Sequence, residues 1–546
     1  MTVATAATAA PPPNAWAPFK NRVFLIIWLA ILVSNIGTWI RDVASGWLMT
    51  EMSSSPLLVS LVQAATTLPI FLLSLPAGAI ADIVDRRRLL IGVQALLLCV
   101  GLTLATTAHL GLMTPALLLA LILVGGVGAA LSGPAFQAIV PELVGKAQLR
   151  PAVALNSLGI NVARAIGPAL GGVIVATAGV AAAFLVDAAS YLLIIAVFVW
   201  WRRTPAPADL PAEAFGAAMR AGLRYAAGSS ELKRVLLRAA AFFLFGSAYW
   251  ALLPLIARDL LQADAPFYGI LLASIGAGAI TGALTLPKIQ VSGDKLVLGG
   301  TLVTSAVTVG LALVEVRWVA PVLLFSAGAA WIAVLTNLNV AAQSVLPDWV
   351  RARGLAVYLM TFFGAMTAGS ALWGTVAQNS SIQASLLIAA GGGAIVGLLM
   401  AARVRLPLGD ADLTPSMHWP EPATVGTVPG ERGPVLISIA YRIDPSDRRA
   451  FLEALQRLSA LRRRDGAFGW RVLEDAEDPT RFEEVFYAAS WIEHLRQHRR
   501  VTMADAELQA RVRAFHQGVE GPHVRHLLAA SPDDEGRPAP VDDHRH

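Results

Sequence analysis

About a dozen long apolar stretches fill residues 22 to 405, and Lys and Arg cluster on every second loop between them. Each stretch is close to the roughly 20 apolar residues that a helix needs to cross hydrocarbon. The chain is 56% hydrophobic and only 14% charged, so a soluble fold would have nowhere to put its apolar surface. The expectation is an all-α polytopic membrane protein whose chemistry lies in whatever interrupts the apolar runs. A single cysteine, Cys99, excludes an intrachain disulfide, and its place in an apolar run predicts a buried, inert thiol. The net charge of +5 does not point to nucleic acid, because most of the basic residues sit at membrane edges.

The pattern predicts spans at 23–49, 56–80, 89–108, 112–136, 152–177, 180–201, 234–261, 267–288, 296–315, 317–343, 354–378 and 382–402. With the N-terminus inside, the inner segments hold Lys20, Arg22, Arg86, Arg87, Arg88, Lys146, Arg150, Arg202, Arg203, Arg220, Arg224, Lys233, Arg234, Arg238, Lys288, Lys295, Arg351, Arg353, Arg403 and Arg405. The outer loops hold little beyond Arg258 and Arg317. That bias places both termini in the cytoplasm and the protein in the inner membrane.

An internal repeat supports six plus six. Gln137 to Val144 (QAIVPELV) recurs as Gln343 to Val350 (QSVLPDWV), and Gly167 to Gly172 (GPALGG) recurs as Gly369 to Gly374 (GSALWG). Two matches in order, at nearly equal offset, indicate a duplicated unit, and such repeats set a substrate cavity between the halves near the midplane. The expected organisation is a disordered tail (1–20), a six-helix half (21–202), a cytoplasmic linker with an amphipathic helix (203–233), a second half (234–405), a Pro/Gly linker (406–432), a soluble domain (433–531) and a disordered end (532–546). In the soluble part, alternation at Val435–Tyr441, Phe468–Val472, Phe482–Ala489 and Val524–Leu528 predicts strands. Helical spacing predicts a helix from Phe451 to Leu461 and one continuous helix from Trp491 to Phe515. The order β-α-β-β-α-β is ferredoxin-like.

Between the second and third spans lies Gly78-Ala-Ile-Ala-Asp82-Ile-Val-Asp85-Arg86-Arg87-Arg88. Gly78 admits close helix approach, Asp82 suits a helix N-terminus or an arginine, and the basic run anchors the loop inside. The stretch resembles the signature loop of the major facilitator superfamily, where this cluster clamps the cytoplasmic side in the outward-facing state. Ile83 and Asp85 depart from the usual arginine and glycine. Gly167, Pro168, Gly171 and Gly172, on a span with small residues every fourth position, are similar to the exporter motif of that superfamily. The stretch from Gly133 to Gly172 resembles the branch holding enterobactin exporters and macrolide efflux pumps, the transmembrane secretion effectors. That resemblance covers about residues 20–405.

Charges within spans are costly and call for a role or a partner. Arg41, Asp42, Arg164 and Asp187 are therefore candidates for proton or substrate handling, with plain acid–arginine pairing as the competing reading. The arginine that drug–proton antiporters of the superfamily often carry early in span four is absent from Leu121 to Gly128. Trp39, Trp47, Gln63, Tyr249, Trp250, Trp331, Asn337, Asn339, Tyr358 and Trp373 are candidate cargo contacts, set against packing or interface roles.

The tail stretch Glu484 to His498 resembles small antibiotic-biosynthesis-monooxygenase-like domains, which implies dimers. His494 and His498 are one turn apart, and the expectation is solvated histidines with no metal. No catalytic residue and no cofactor is expected. The reading is an exporter of a small amphipathic molecule such as a siderophore or antibiotic, working by alternating access as a proton antiporter. A nutrient importer, a transporter with an enzymatic tail and a non-transporting sensor remain the alternatives.

Overall fold

The computed structural model describes residues 16–145, 148–201, 215–407, 411–419, 422, 424, 428–518 and 520–530. Among them, eleven helices are long and apolar enough to cross a bilayer. Helices α1 (Arg22–Met52), α2 (Pro56–Ile83), α3 (Arg86–His109), α4 (Pro115–Leu143) and α5 (Leu149–Trp200) make up the first half. A short α6 (Phe215–Gly228) precedes α7 (Ser230–Leu255), α8 (Ala265–Thr285), α9 (Gly293–Leu313), α10 (Val319–Ser344), α11 (Arg351–Asn379) and α12 (Ile382–Arg403). Starts are set by side-chain caps: Asn21, Ser55, Asp85, Thr114 and Ser381 each accept a first-turn N–H.

The 52-residue α5 holds two spans, because the chain reverses at Gly179, whose φ of 84° favours glycine. The packing proves the reversal. A Cβ on Gly167 would lie 3.2 Å from the Ile36 carbonyl, and one on Gly37 would lie 3.2 Å from the Asp187 Cα. In a straight helix Gly167 and Asp187 would be about 30 Å apart. Both meet the same turns of α1, so the eleven helices make twelve spans among the described residues.

The sequence repeat is visible as paired contacts. Gly167 and Gly171 pack on α1 while Gly172 packs on α8 at Ala265 and Gly269. At the equivalent places of the second half, Gly369 packs on α7 at Leu244 and Ser247 while Gly374 packs on α2 at Leu57 and Ser60. Each half thus sends one glycine-rich helix across to the other. A Cβ on Gly172 would sit 2.8 Å from the Ala265 carbonyl oxygen, and one on Gly276 would sit 2.7 Å from that of Arg164, so a side chain there would force α5 and α8 apart.

The chain divides into two compact units. The first comprises the described residues of 1–212, 236–340 and 358–406, and the second those of 213–235, 341–357 and 407–546. In the second, β1 (Val435–Arg442), α13 (Arg448–Arg464), β2 (Phe468–Glu474), β3 (Arg481–Ala488), α14 (Trp491–Arg500), α15 (Met503–Arg513) and β4 (His523–Leu528) form an antiparallel sheet of order β2-β3-β1-β4 under the helices. This is the ferredoxin-like order. Its core joins Ile437, Ile439, Phe451, Leu455, Leu458, Phe482, Phe486 and Trp491.

Several expectations are corrected. Residues 17–20 are not disordered but form a 3-10 turn, with Phe19 packed 5.0 Å from Trp28. The predicted helix from Trp491 to Phe515 breaks at Val501, because Thr502 caps a new helix with Asp505 as its reciprocal partner. Cys99 is exposed on the bundle surface rather than buried. The 406–432 segment is more than a spacer, since Ser416 and Trp419 bond to Val501 and Gln509. The tails 1–15 and 531–546 lie outside the described residues.

Candidate functional site

Eight helices, four from each half, surround a cavity of about 200 Å³ in the first unit. From the first half come Trp39, Asp42 and Ser45 of α1, Gln63 and Thr66 of α2, Ile122 of α4 and Arg164 of α5. From the second come Trp250 of α7, Tyr268 and Leu272 of α8, Trp331 of α10 and Phe362 and Met366 of α11. A second slot by Arg238, Thr304 and Gly393 leaves only about 20 Å³ for the centres of water-sized spheres, room for about one water and not for cargo.

The four charges in the spans separate sharply. Arg41 donates to Asp42 at 3.0 Å and to the Tyr191 hydroxyl at 2.9 Å, and lies 3.5 Å from Asp187. Asp187 is fully buried, and Arg41 is its one ionic partner among the described residues. This is the structural pairing that competed with a proton-carrying role. Asp42 is different: its side chain is 36% exposed and opens on the cavity. Arg164 differs again. It forms no ion pair among the described residues, although it lines the cavity.

Of the ten polar and aromatic candidates, Trp39, Gln63, Trp250 and Trp331 line the cavity. The others do not. Trp373 donates to the Leu244 carbonyl, Trp47 donates to Glu51, Asn337 bonds back to Ala333, and Tyr249 and Tyr358 are packed in the core. Asn339 is also absent from the lining. The sequence reading missed Tyr268 and Phe362. Tyr268 sits in the first turn of its span, where an aromatic reads as an interface residue, and only the crossing of α1 and α8 turns it inward; it stacks on Trp47 at 6.1 Å.

In the signature loop, Asp85 stands where the superfamily favours glycine because it caps α3, accepting from Arg88 N at 2.9 Å. Arg86 pairs with Glu142 at 2.7 Å and reaches the Ala138 carbonyl, and Arg87 donates to the Phe198 and Val199 carbonyls. These residues bind one end of the first half's helices together. A Cβ at Gly78 would meet nothing within 4 Å among the described residues, so the close approach expected there is not made by them in this conformation. The Asp82 side chain lies outside the described residues. At the opposite end of the bundle, Ser55 bonds Gln378 at 2.7 Å between α2 and α11.

A family model described as transmembrane secretion effector matches residues 13–533. The chain belongs to this family. It is 26% identical over 392 residues to the enterobactin exporter of Salmonella typhi, covering 70% of this chain and 92% of that one. It is 26% identical over 261 residues to the staphyloferrin A transporter of Staphylococcus aureus, covering 46% of this chain and 64% of that transporter. In fold it is similar to a bacterial homologue of the human lysosomal transporter Spinster in an inward-facing and occupied conformation, with a TM-score of 0.58 and 14% identity, over 71% of this chain and 98% of that one. The protein is a multi-pass membrane transporter of small molecules, and its relatives are transporters rather than enzymes.

The transporter's soluble domain carries a larger cavity, about 450 Å³, between its sheet and its helices. Trp419 of the preceding segment, Arg462 of α13, His494 and His498 of α14, Arg513 of α15 and His526 of β4 line it. The expectation of solvated histidines is overturned: His494 is 2% exposed, and burial pushes its imidazole down to about 3 and that of His498 down to about 4, so both are neutral. Arg462 is matched by the buried Glu484 at 3.2 Å, which also accepts from Trp470 and Tyr441. Within the same unit, Arg464 lies 5.2 Å above the Tyr225 ring of α6, and Arg500 lies 4.5 Å above Trp349 in the α10–α11 loop. Arg224 of α6 is 3.8 Å from Glu493 of α14. The domain is thus docked on the linker helix and on the second copy of the repeated loop.

Proposed function

We propose that this transporter exports a small anionic, aromatic-bearing molecule, of the siderophore or antibiotic class, across the inner membrane by alternating access driven by inward proton flow. The observation that carries the reading is Arg164. A guanidinium near the midplane is expensive without a counter-charge, and this one faces a cavity walled by Trp39, Trp250, Tyr268, Trp331 and Phe362. An anionic cargo supplies the missing partner, and its rings stack on the wall. Its relatives, an enterobactin exporter and a staphyloferrin A transporter, support cargo of the siderophore class. The Lys and Arg bias supports cytoplasmic termini, which makes the end closed by Ser55, Gln378 and the α5–α8 glycines the outer one.

Asp42 is the proton-carrying candidate: both acids pair with Arg41, but Asp42 is exposed to the cavity while Asp187 is fully buried. Gly78, Asp82 and Arg88 are the gate residues, closing when the outer end opens. The soluble domain pairs with a second copy through the open sheet face, which presents Phe468, Tyr487 and Leu527.

Comparing metabolites inside and outside cells with and without the gene tests the reading. An anionic aromatic metabolite should leave cells that carry the wild-type gene and be retained by cells carrying Arg164→Ala. Gene-dependent uptake of such a molecule would reverse the direction, and export of a cationic or purely aliphatic compound would refute the cargo class.

A further inference from the structure

We propose that His494, His498 and His526 form a binding site in the soluble domain for one divalent first-row transition metal ion, with a coordination position left open to the adjoining cavity. The three residues come from two elements: His494 and His498 lie one turn apart on α14, and His526 lies on the edge strand β4. One potential ligand nitrogen from each lies within 4.8 Å of the others. The Nε2 atoms of His494 and His498 are 3.2 Å apart. Two nitrogens held at the 2.0–2.1 Å of a zinc–imidazole bond in tetrahedral geometry are separated by about 3.3 Å. The pair therefore already has the spacing of two ligands, and the third needs only a modest side-chain rotation.

The surroundings supply what a metal-binding histidine requires. Nδ1 of His494 and Oε1 of Gln497 are both buried without a hydrogen-bond partner. A proton on Nδ1 directed at Gln497 would satisfy both and leave the Nε2 lone pair facing His498, which is the tautomer a ligand needs. A plain imidazole–imidazole hydrogen bond accounts for two of the rings but not for the third, whose centroid lies 4.7 Å from that of His494. His418, nearby, shows the contrast: both of its nitrogens are engaged, with Ser416 and Gln509, and it is no ligand. All-imidazole donors suit zinc, copper, iron or nickel and not calcium or magnesium. The open position faces the cavity beside Arg462 and Arg513, so an anion would complete the shell.

The test uses the full-length protein purified in detergent without a histidine tag and with His544 and His546 replaced by Ala. Zn(II) and Co(II) are titrated after chelation, with metal content measured per chain and Co(II) followed by its visible d–d bands. The expected result is one ion per chain and Co(II) bands of four- or five-coordinate intensity. His526→Ala should weaken binding by more than about a hundredfold, since even outer-shell partners are worth ten- to hundredfold. His498→Gln should do the same, and His523→Ala, an exposed histidine on the same strand, should change nothing. Absence of stoichiometric binding overturns the proposal. So does binding that survives both His526→Ala and His498→Gln, because the ion would then sit elsewhere. Cargo export plays no part in these readouts, so a failed transport assay leaves the result intact.

Discussion

Arg41 and Arg164 occupy the same membrane bundle and differ in one respect, their company. Arg41 is packed between Asp42, Asp187 and Tyr191, and its charge is used up inside the protein. Arg164 opens on the cavity and meets no acid among the described residues. A charge in a span that is matched at home serves the fold, and one left unmatched at a cavity is available to something that arrives. Asp187 and Asp42 differ in another way: both pair with Arg41, but Asp187 is sealed in the core while Asp42 is open to the cavity.

The largest effect should come from breaking the matched pair. Arg41→Leu leaves Asp187 as an uncompensated buried charge, which costs about 3–5 kcal/mol. The variant should lose its monodisperse peak in detergent chromatography, and Arg41→Leu with Asp187→Leu should recover it. If the single variant is as stable as the wild type, the structural reading of the pair is wrong. Next, Arg164→Ala should leave thermal stability unchanged while export falls by about ten- to a hundredfold, the worth of a charge-assisted contact of 1.5–3 kcal/mol. Unfolding of that variant instead would make Arg164 another structural arginine and erase the distinction.

Asp82→Asn should slow export by roughly tenfold at normal expression, by unbalancing two conformations that differ by a contact of this size. Normal export would remove the gate role. Asp42→Asn should change the coupling more than the rate, so that a protonophore no longer reduces cargo gradients. Retained protonophore sensitivity would move the proton site elsewhere. The smallest effect belongs to the docking of the soluble domain. Trp349→Leu removes the ring beneath Arg500, a cation–π contact worth about 1 kcal/mol, while Arg500 keeps its ion pair with Glu493 and its bond to the Asp465 carbonyl. Amide exchange in α14 should speed up slightly while export persists, and an unchanged exchange pattern would show that the α6 contacts, Arg464 with Tyr225 and Arg224 with Glu493, hold the domain without Trp349.

Much of this was legible without coordinates. The spans, the duplication and the ferredoxin-like order are periodic signals, carried by many residues each, and they tolerate local error. The candidate site was half legible. Trp39, Gln63, Trp250, Trp331, Asp42 and Arg164 stand out as polar or aromatic residues in apolar runs, and they do meet at the cavity. Trp373, Tyr249 and Tyr358 carry the same signal and pack in the core instead. Tyr268 and Phe362 carry no signal that separates them from ordinary packing.

What the sequence determined by itself was whether each segment enters the membrane and where it turns, because hydrophobic burial and charge exclusion act on composition within a window of neighbours. Only the tertiary structure decided which charges are matched and which histidines meet. Arg41 finds Asp187 146 positions away, and His526 joins His494 and His498 from another element, because helix crossing and strand order set those distances. Such encounters depend on the packing of whole elements, and no local pattern along the chain records them.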